Sequence, residues 1–258
     1  MKYDLDEIFN SLKQKYWWIL CILCIPAGFY NVENAKALNP FIEVIIKGTP
    51  YLPQTMNYNW GLLLLVYLCM FISVGYLVNY IKNCAEDIYY EQKEPDFVLY
   101  LITGLKLIPF SIFANIIALL INFLPGIILG FTAAFFPFID IPLKIIAIII
   151  LSLITYGYLI CSFLLFVKTN KITSAFRLPL ILSMMFENKL AIVKATLWII
   201  FIFIPIIIIN ISLLFISSMP IIFLPIFIVI SYMYYMLSAN ILAQLLRHIS
   251  QNMGDELH

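Results

Sequence analysis

Long apolar stretches separated by short polar connections make up most of this chain. The longer stretches run for about 20 residues without a charge near the middle, the length that a helix needs to cross a bilayer core of about 30 Å. The pattern predicts an all-α, polytopic helical membrane protein with about six transmembrane helices. The candidate spans are approximately Tyr16–Tyr30, Trp60–Ile81, Leu107–Leu124, Ile145–Phe166, Ala191–Ile216 and Ile221–Leu245.

The first candidate span is shorter than the others. Its length from Tyr16 to Tyr30 rises only about 22 Å at 1.5 Å per residue, and Pro26 interrupts it. It either crosses by continuing the preceding helix or forms a re-entrant segment. We expect one integral membrane domain over residues 1–258, with an in-plane helix in 1–15, a six-span bundle in 16–245 and a cytoplasmic tail in 246–258.

Amphipathic segments precede three of the spans. Leu5, Ile8, Phe9 and Leu12 recur at helical spacing and predict a helix lying on the inner leaflet. A short apolar segment, Phe97 to Lys106, is broken by Gly104 and predicts a second in-plane helix. A third is predicted after a cap at Thr173 or Ser174, with Phe176, Leu180 and Met184 on one stripe and a kink at Pro179.

The connection from Pro125 to Pro142 is too apolar for an ordinary loop and too rich in proline for a secure span. It is either a re-entrant segment lining a cavity or an external interfacial helix folded over the bundle, and the second alternative is favoured. Asp140, the acid of this connection, is expected to be an exposed loop carboxylate.

The distribution of Lys and Arg predicts the orientation. With six spans and the N-terminus inside, 12 basic residues fall on the cytoplasmic side and 3 outside. If the first segment did not cross, the N-terminal lysines would move outside and the count would be 9 basic residues inside and 6 outside. The larger asymmetry favours a crossing by this segment, so both termini are expected in the cytoplasm. The cytoplasmic set is Lys2, Lys13, Lys15, Lys82, Lys93, Lys106, Lys168, Lys171, Arg177, Lys189, Lys194 and Arg247, and the external set is Lys36, Lys47 and Lys144.

Composition narrows the classes of function. Hydrophobic residues make up 64% of the chain and charged residues 11%, against about 45–50% and about 25% in soluble domains. A net charge of +1 gives no support for nucleic-acid binding. Ionised residues fall outside the centres of the candidate spans, which disfavours a charge-coupled pump or transporter.

Motifs for catalysis are missing from the sequence. The sequence has no zinc-protease (HExxH), phosphate-binding-loop or serine-hydrolase (GxSxG) motif. Its two histidines, His248 and His258, both lie in the C-terminal region and cannot form a metal site in the membrane alone. Cys21 and Cys24 form a CxxC pair within an apolar helix, where packing is the expected role. We therefore predict no catalytic residue, no metal site and no cofactor.

Two sets of residues are candidates for binding. Basic residues near the cytoplasmic ends of spans are expected to contact anionic lipid head groups; these are Lys13, Lys15, Lys82, Lys168, Lys171 and Arg177. Asn115 and Asn210 are expected to make polar contacts inside the membrane, most simply hydrogen bonds between helices. The charged segment from Lys82 to Asp96 is either a solvated loop or a docking site for a cytosolic partner or a divalent cation.

Several short motifs resemble a known family. The sequence has Gly75-Tyr76-Leu77, Ile81-Lys82-Asn83, Pro95-Asp96, Gly104-Leu105-Lys106 and Ala175-Phe176-Arg177. This pattern is similar to that of the prokaryotic membrane proteins grouped as domain of unknown function 4013. The chain lacks a glycine in the loop before Pro95 and has a single acid directly after that proline. The resemblance implies a multi-span protein of a bacterial or archaeal cell membrane, and it implies no activity.

These features together predict a non-enzymatic, multi-pass protein of the prokaryotic plasma membrane. The first hypothesis is a permease-like or transport subunit that works with a cytosolic ATPase or another membrane subunit. The alternative is a stand-alone component, with a membrane-organising or stress role, that interacts with membrane lipids.

Overall fold

Helices make up all the regular structure that the chain forms within its described residues. The computed structural model describes residues 3–30, 60–86, 94–135, 140–215 and 220–253. The helices are α1 (Leu5–Asn10), α2 (Trp17–Tyr30), α3 (Trp60–Glu86), α4 (Phe97–Phe135), α5 (Asp140–Thr169), α6 (Leu178–Glu187), α7 (Lys189–Phe215) and α8 (Pro220–Met253). Short 3-10 turns cover Ser11–Lys13 and Ile172–Phe176.

Five of these helices are long and apolar enough to cross a membrane. The qualifying ranges are Trp60–Glu86, Phe97–Phe123, Ile150–Thr169, Lys189–Ile209 and Leu224–Met253. They coincide with the five longer spans predicted from the sequence, so the all-helical fold class is confirmed over the described residues. The sixth candidate forms the shorter apolar helix α2.

Helix α4 differs from the prediction at both ends. The expected in-plane helix from Phe97 to Lys106 is not a separate element, because α4 runs without interruption from Phe97 to Phe135. The Asp96 carboxylate caps the start of α4, where it accepts a hydrogen bond from the Leu99 backbone amide at 2.9 Å. At the other end the helix continues through Pro125 to Phe135. The first part of the connection predicted from Pro125 to Pro142 therefore belongs to α4 and forms neither a separate interfacial helix nor a re-entrant turn. Residues 136–139 and the Asp140 side chain lie outside the described residues.

The prediction of a short helix before the fifth span is confirmed, with different details. The backbone makes a 3-10 turn over Ile172–Phe176, and α6 begins at Leu178. Pro179 falls in the first turn of α6, where its missing N–H removes no helical hydrogen bond. The predicted kink at Pro179 is therefore wrong.

The N-terminal helix is also shorter than its apolar periodicity suggested. Asp4 caps α1 by accepting from the amides of Asp6 at 2.9 Å and Glu7 at 3.2 Å. Ile8 is buried, whereas Leu5 and Phe9, its neighbours on the apolar side of the helix, are exposed. The chain leaves helical geometry at Gln14 and resumes it in α2 at Trp17.

Backbone proximity divides the chain into two compact units. One comprises Leu105–Thr196 together with the chain from Gln244 onward. The other comprises the described residues of Lys2–Gly104 together with Leu197–Ala243. We call them the first and the second unit.

Two glycines bring α3 and the beginning of α4 together in the second unit. A β-carbon at Gly75 would overlap the carbonyl oxygen of Tyr100, and one at Gly104 would overlap the carbonyl oxygen of Phe71. From one contact to the other the residue number rises from 71 to 75 on α3 and falls from 104 to 100 on α4, so the two segments are antiparallel. The Tyr76 and Tyr100 rings pack edge to face beside this crossing, with centroids 5.4 Å apart. Small residues at such crossings let backbones approach closely.

The glycine crossing gives a first testable prediction. In Gly75→Ala the added methyl group meets backbone, which cannot rotate away, so the helices must separate. We expect a loss of about 1–3 kcal/mol of unfolding free energy, measured by titration of the micelle-embedded protein with a denaturing detergent.

Gly28→Ala is the matched control. The atoms nearest its β-carbon would be the end of the Leu224 side chain and the ring of Phe227, that is, side chains rather than backbone. Both substitutions gain the same intrinsic helix propensity, so that contribution cancels in the comparison. Equal stabilities of the two variants would contradict the close backbone crossing.

Candidate membrane-interface site

The connection between α5 and α6 is anchored by a buried tyrosine. Tyr158 is fully buried on α5, and its hydroxyl donates to the carbonyl oxygen of Ala175 at 2.9 Å. Ala175 and Ser174 belong to the 3-10 turn and are also buried. This hydrogen bond, made in a site without competing water, fixes the turn against α5.

The end of α5 directs the chain into that turn. Asn170 adopts a left-handed conformation with φ 52°, and its amide donates to the Phe166 carbonyl at 2.7 Å. Asparagine is one of the few residues apart from glycine that tolerates this conformation. The Thr169 hydroxyl donates to the Leu165 carbonyl at 2.8 Å, so the last turn of α5 is well paired.

One face of α6 is buried in the first unit. Ile181, Met184 and Met185 are buried, and the Met185 side chain lies over Gly157 of α5. A β-carbon at Gly157 would come within 2.9 Å of the Met185 sulfur. The glycine thus leaves the space that the methionine fills, and α6 lies firmly against α5.

The neighbouring face of α6 exposes large apolar side chains. Leu178, Leu182 and Phe186 follow one another at four-residue spacing and are exposed, Phe186 to 64%. Phe176 before the helix and Leu190 after it are exposed as well, at 51% and 72%. Exposed apolar area of this size marks a surface that binds another apolar phase or a partner.

Basic side chains flank this apolar stripe. Lys171 and Lys189 are exposed, and Lys168 and Arg177 are half-buried. None of these four forms an ion pair with any residue that the structure describes. The acid of α6, Glu187, accepts a hydrogen bond from the Ser183 hydroxyl at 2.6 Å. We call the apolar stripe and these four bases the α6 surface.

A polar contact secures the start of α7 in the same unit. The Asn252 amide of α8 donates to Asn188 Oδ1 at 2.8 Å, and the Asn188 amide donates to the Met184 carbonyl at 3.1 Å. Asn188 is buried between α6 and α7. Asn188 and Asn252 were not singled out from the sequence, since 64 residues separate the pair.

The other predicted head-group contacts belong to the second unit. Lys13 donates to Asn10 Oδ1 at 3.2 Å, and the Lys15 ammonium lies 5.3 Å from the centre of the Tyr16 ring. Lys82 is half-buried near the end of α3. Of the six bases predicted from the sequence to contact head groups, three belong to the α6 surface: Lys168, Lys171 and Arg177. Lys189 completes that surface and was counted only as a topology signal.

The N-terminal segment of the second unit is held by α8. The Tyr232 hydroxyl donates to the Leu12 carbonyl at 2.9 Å, and the Trp17 ring packs edge to face on Tyr232 at 6.2 Å. Burial raises the pKa of the Tyr3 hydroxyl above its usual value. Leu5, Phe9, Trp17 and Trp18 remain exposed around Lys13 and Lys15, so the segment offers a second apolar and basic surface.

Most polar side chains within the long helices bond to their own chain. Asn79 donates to the Gly75 carbonyl at 2.9 Å, which lies one turn back on the same helix. Asn122 and Thr155 exchange hydrogen bonds of 2.8 and 3.1 Å and join α4 to α5. Asn115 is exposed and, among the described residues, donates only to Ser111. The side chain of Asn210 lies outside the described residues.

Chemistry at a metal or redox centre has no support in the described ranges. No group of three or more His, Cys, Asp or Glu side chains there is placed to hold a metal ion. Among the described residues all five cysteines are free thiols, including Cys21 and Cys24. The arrangement that stands out is a rigid surface that combines apolar and basic groups.

Comparison with known proteins adds no relative to this picture. The chain matches no protein-family model, no curated protein and no solved structure. The resemblance seen in the short glycine-containing motifs therefore stays a prediction. Function has to be inferred from the residues of this chain and from their geometry.

Proposed function

We propose that this chain is an integral membrane protein, without enzymatic activity, that binds anionic lipids through the α6 surface at the cytoplasmic face. The observation that carries the proposal is the position of four bases, none of them ion-paired within the described residues, next to an exposed apolar stripe on one firmly seated helix. An interfacial helix binds a membrane by inserting its apolar face while its bases meet the head groups.

Membrane insertion is supported by where the apolar side chains lie. The five long helices expose many of them, among them Leu64, Leu119 and Phe201. Exposed apolar area on this scale is incompatible with water and suits contact with lipid. We propose six crossings, with α2 forming the first and the N-terminal segment lying in the plane of the inner leaflet, and both termini in the cytoplasm. The bacterial or archaeal plasma membrane implied by the resemblance belongs to the same proposal.

Charge gives the α6 surface its preference among lipids. A Lys or Arg near an anionic leaflet contributes about 1 kcal/mol of attraction. In the proposed orientation, Lys168, Lys171, Arg177 and Lys189 all lie at the cytoplasmic ends of α5 and α7. The Ser183 hydroxyl binds the Glu187 carboxylate at 2.6 Å, which keeps this acid occupied within α6.

A transport subunit is the second candidate. It is favoured by the firm seating of α6, because a short helix fixed between two long ones transmits force from a docked cytosolic ATPase. The polar side chains of the spans favour the lipid-binding function instead. Asn79, Asn122 and Thr155 are all bonded within the chain. Asn115 keeps an unused acceptor, but a substrate path needs several polar groups that remain available together.

Orientation can be tested with small epitope tags in inside-out vesicles. We expect tags at both termini to be cleaved by added protease, because both ends face the cytoplasm. A tag inserted between residues 31 and 59, after α2, is expected to be protected and serves as the control. Protection of the N-terminal tag with cleavage of the C-terminal one would show that α2 does not cross.

Lipid binding can be tested on the full chain purified in mild detergent from its own membrane. We expect phosphatidylglycerol to be retained over phosphatidylcholine in mass spectra of the protein. The triple variant Lys168→Gln, Lys171→Gln, Arg177→Gln removes three attractions of about 1 kcal/mol each, so retention should fall at least about tenfold.

The matched control removes the same charge elsewhere. Lys36→Gln, Lys47→Gln, Lys144→Gln neutralises the three lysines that the charge distribution places outside, and retention should stay unchanged. Equal loss in both triple variants would contradict a specific α6 surface. Stoichiometric recovery of an ATPase that is lost in Phe186→Ser would instead support the transport subunit.

A further inference from the structure

The first unit leaves a broad face of α4 exposed, and the polar side chain on that face belongs to one regular stripe. Leu105, Ile108, Ile112, Asn115 and Leu119 are all exposed, and they follow one another at alternating steps of three and four residues. This spacing, 3.5 residues on average, keeps one stripe facing a parallel partner helix over several turns. The other side of the helix is already occupied, since Phe110, Ala114 and Ala118 are buried.

Asn115 is the polar member of this stripe. It lies nine residues beyond Lys106, or about 14 Å along the helix axis, which is near the middle of a hydrocarbon core of about 30 Å. Its amide donates to the Ser111 carbonyl at 2.8 Å and approaches the Ser111 hydroxyl at 3.3 Å. No residue in the described part of the chain donates a hydrogen bond to its Oδ1.

Asn122, two turns further along α4, has hydrogen-bond partners for both its amide group and its Oδ1. Its amide donates to Thr155 Oγ1 and to the Ala118 carbonyl, and its Oδ1 accepts from the Thr155 hydroxyl. Lipid tails offer no hydrogen bond at this depth, so the unused capacity of Asn115 needs a polar group from another molecule.

An apolar groove lies directly beside Asn115. It has a volume of about 600 Å³ and is lined by Ile116, Leu119, Leu120, Asn122 and Phe123. Leu119, Leu120 and Phe123 are each more than 60% exposed. Because the hydrogen bonds of Asn122 are used within the chain, the groove receives apolar side chains.

We propose that a second copy of this chain packs against the exposed stripe of α4, with Asn115 at the centre of the contact. Two copies inserted in the same membrane have the same orientation, so their α4 helices are parallel and each position faces its equivalent. Each Asn115 amide then donates to the Oδ1 of the other copy, and the leucines of one copy enter the groove of the other. A cytosolic partner does not reach this depth, and an acyl chain leaves the asparagine unpaired.

The proposal rests on membrane insertion, which an alkaline wash tests separately. If the wash strips the protein from the membrane, membrane insertion itself fails. If the protein stays and is monomeric, only the self-association fails.

The experiment uses full-length copies carrying two different fluorophores in phosphatidylcholine vesicles at varied protein-to-lipid ratios. We expect energy transfer between copies, with association about threefold to tenfold weaker in Asn115→Leu, the range typical of a hydrogen bond between membrane helices. Asn115→Gln keeps the amide and should restore most of the association.

Leu119→Ala and Leu197→Ala form a matched pair of apolar variants. Both leucines are highly exposed, at 68% on α4 and 61% on α7, but only Leu119 belongs to the stripe. We expect Leu119→Ala alone to weaken association. Unchanged association in both Asn115→Leu and Leu119→Ala would overturn the proposal, as would a lipid retained by wild type and lost in Leu119→Ala with no change in association.

Discussion

Inside hydrocarbon, the proposed setting of the five long apolar helices, backbone amides and carbonyls have no water to bond to, and the rest of the structure agrees with this constraint. In this chain, of which 64% of the residues are hydrophobic, each long apolar segment forms a helix, so its backbone amides and carbonyls bond to one another. The side chains follow the same rule. Ser73, Asn79, Thr196 and Ser212 all donate to the carbonyl one turn back on their own helix, so few polar groups are left to bond elsewhere.

Contacts between helices then depend on shape more than on polarity. Where α3 meets α4, Gly75 and Gly104 remove the side chains that would hold the backbones apart. Where α5 meets α6, Gly157 makes room for Met185. In the proposed membrane setting there is no hydrophobic driving force between helices, so close packing at these points becomes a main source of cohesion. The buried bond from Tyr158 to Ala175 and the exchange between Asn122 and Thr155 add direction to that packing.

The long helices could be predicted because hydropathy over 20 residues is a local property. Their limits could not, since capping and packing decide them. Gly104 looked like a break between two elements, yet it continues α4 because its missing side chain faces Phe71. Pro179 looked like a kink, yet it falls in the first turn of α6. The candidate surface was predictable in part, because Lys168, Lys171 and Arg177 stood out by charge. The exposed stripe from Leu178 to Phe186 depends on which face α5 buries, and the contact of Asn188 with Asn252 joins distant parts of the sequence.

Asn115 and Asn122 show how one residue type serves two purposes on one helix. The sequence gives them similar apolar surroundings, and they lie on nearly the same face of α4 because seven residues make almost two turns. The difference comes from α5, which offers Thr155 to Asn122 at 2.8 Å, while the one partner of Asn115 in the described ranges is Ser111 of its own helix. A polar side chain in hydrocarbon that the fold does not satisfy is costly to keep. Such a residue is most simply explained by a partner that satisfies it, and for α4 the partner with the matching group at the matching depth is another α4.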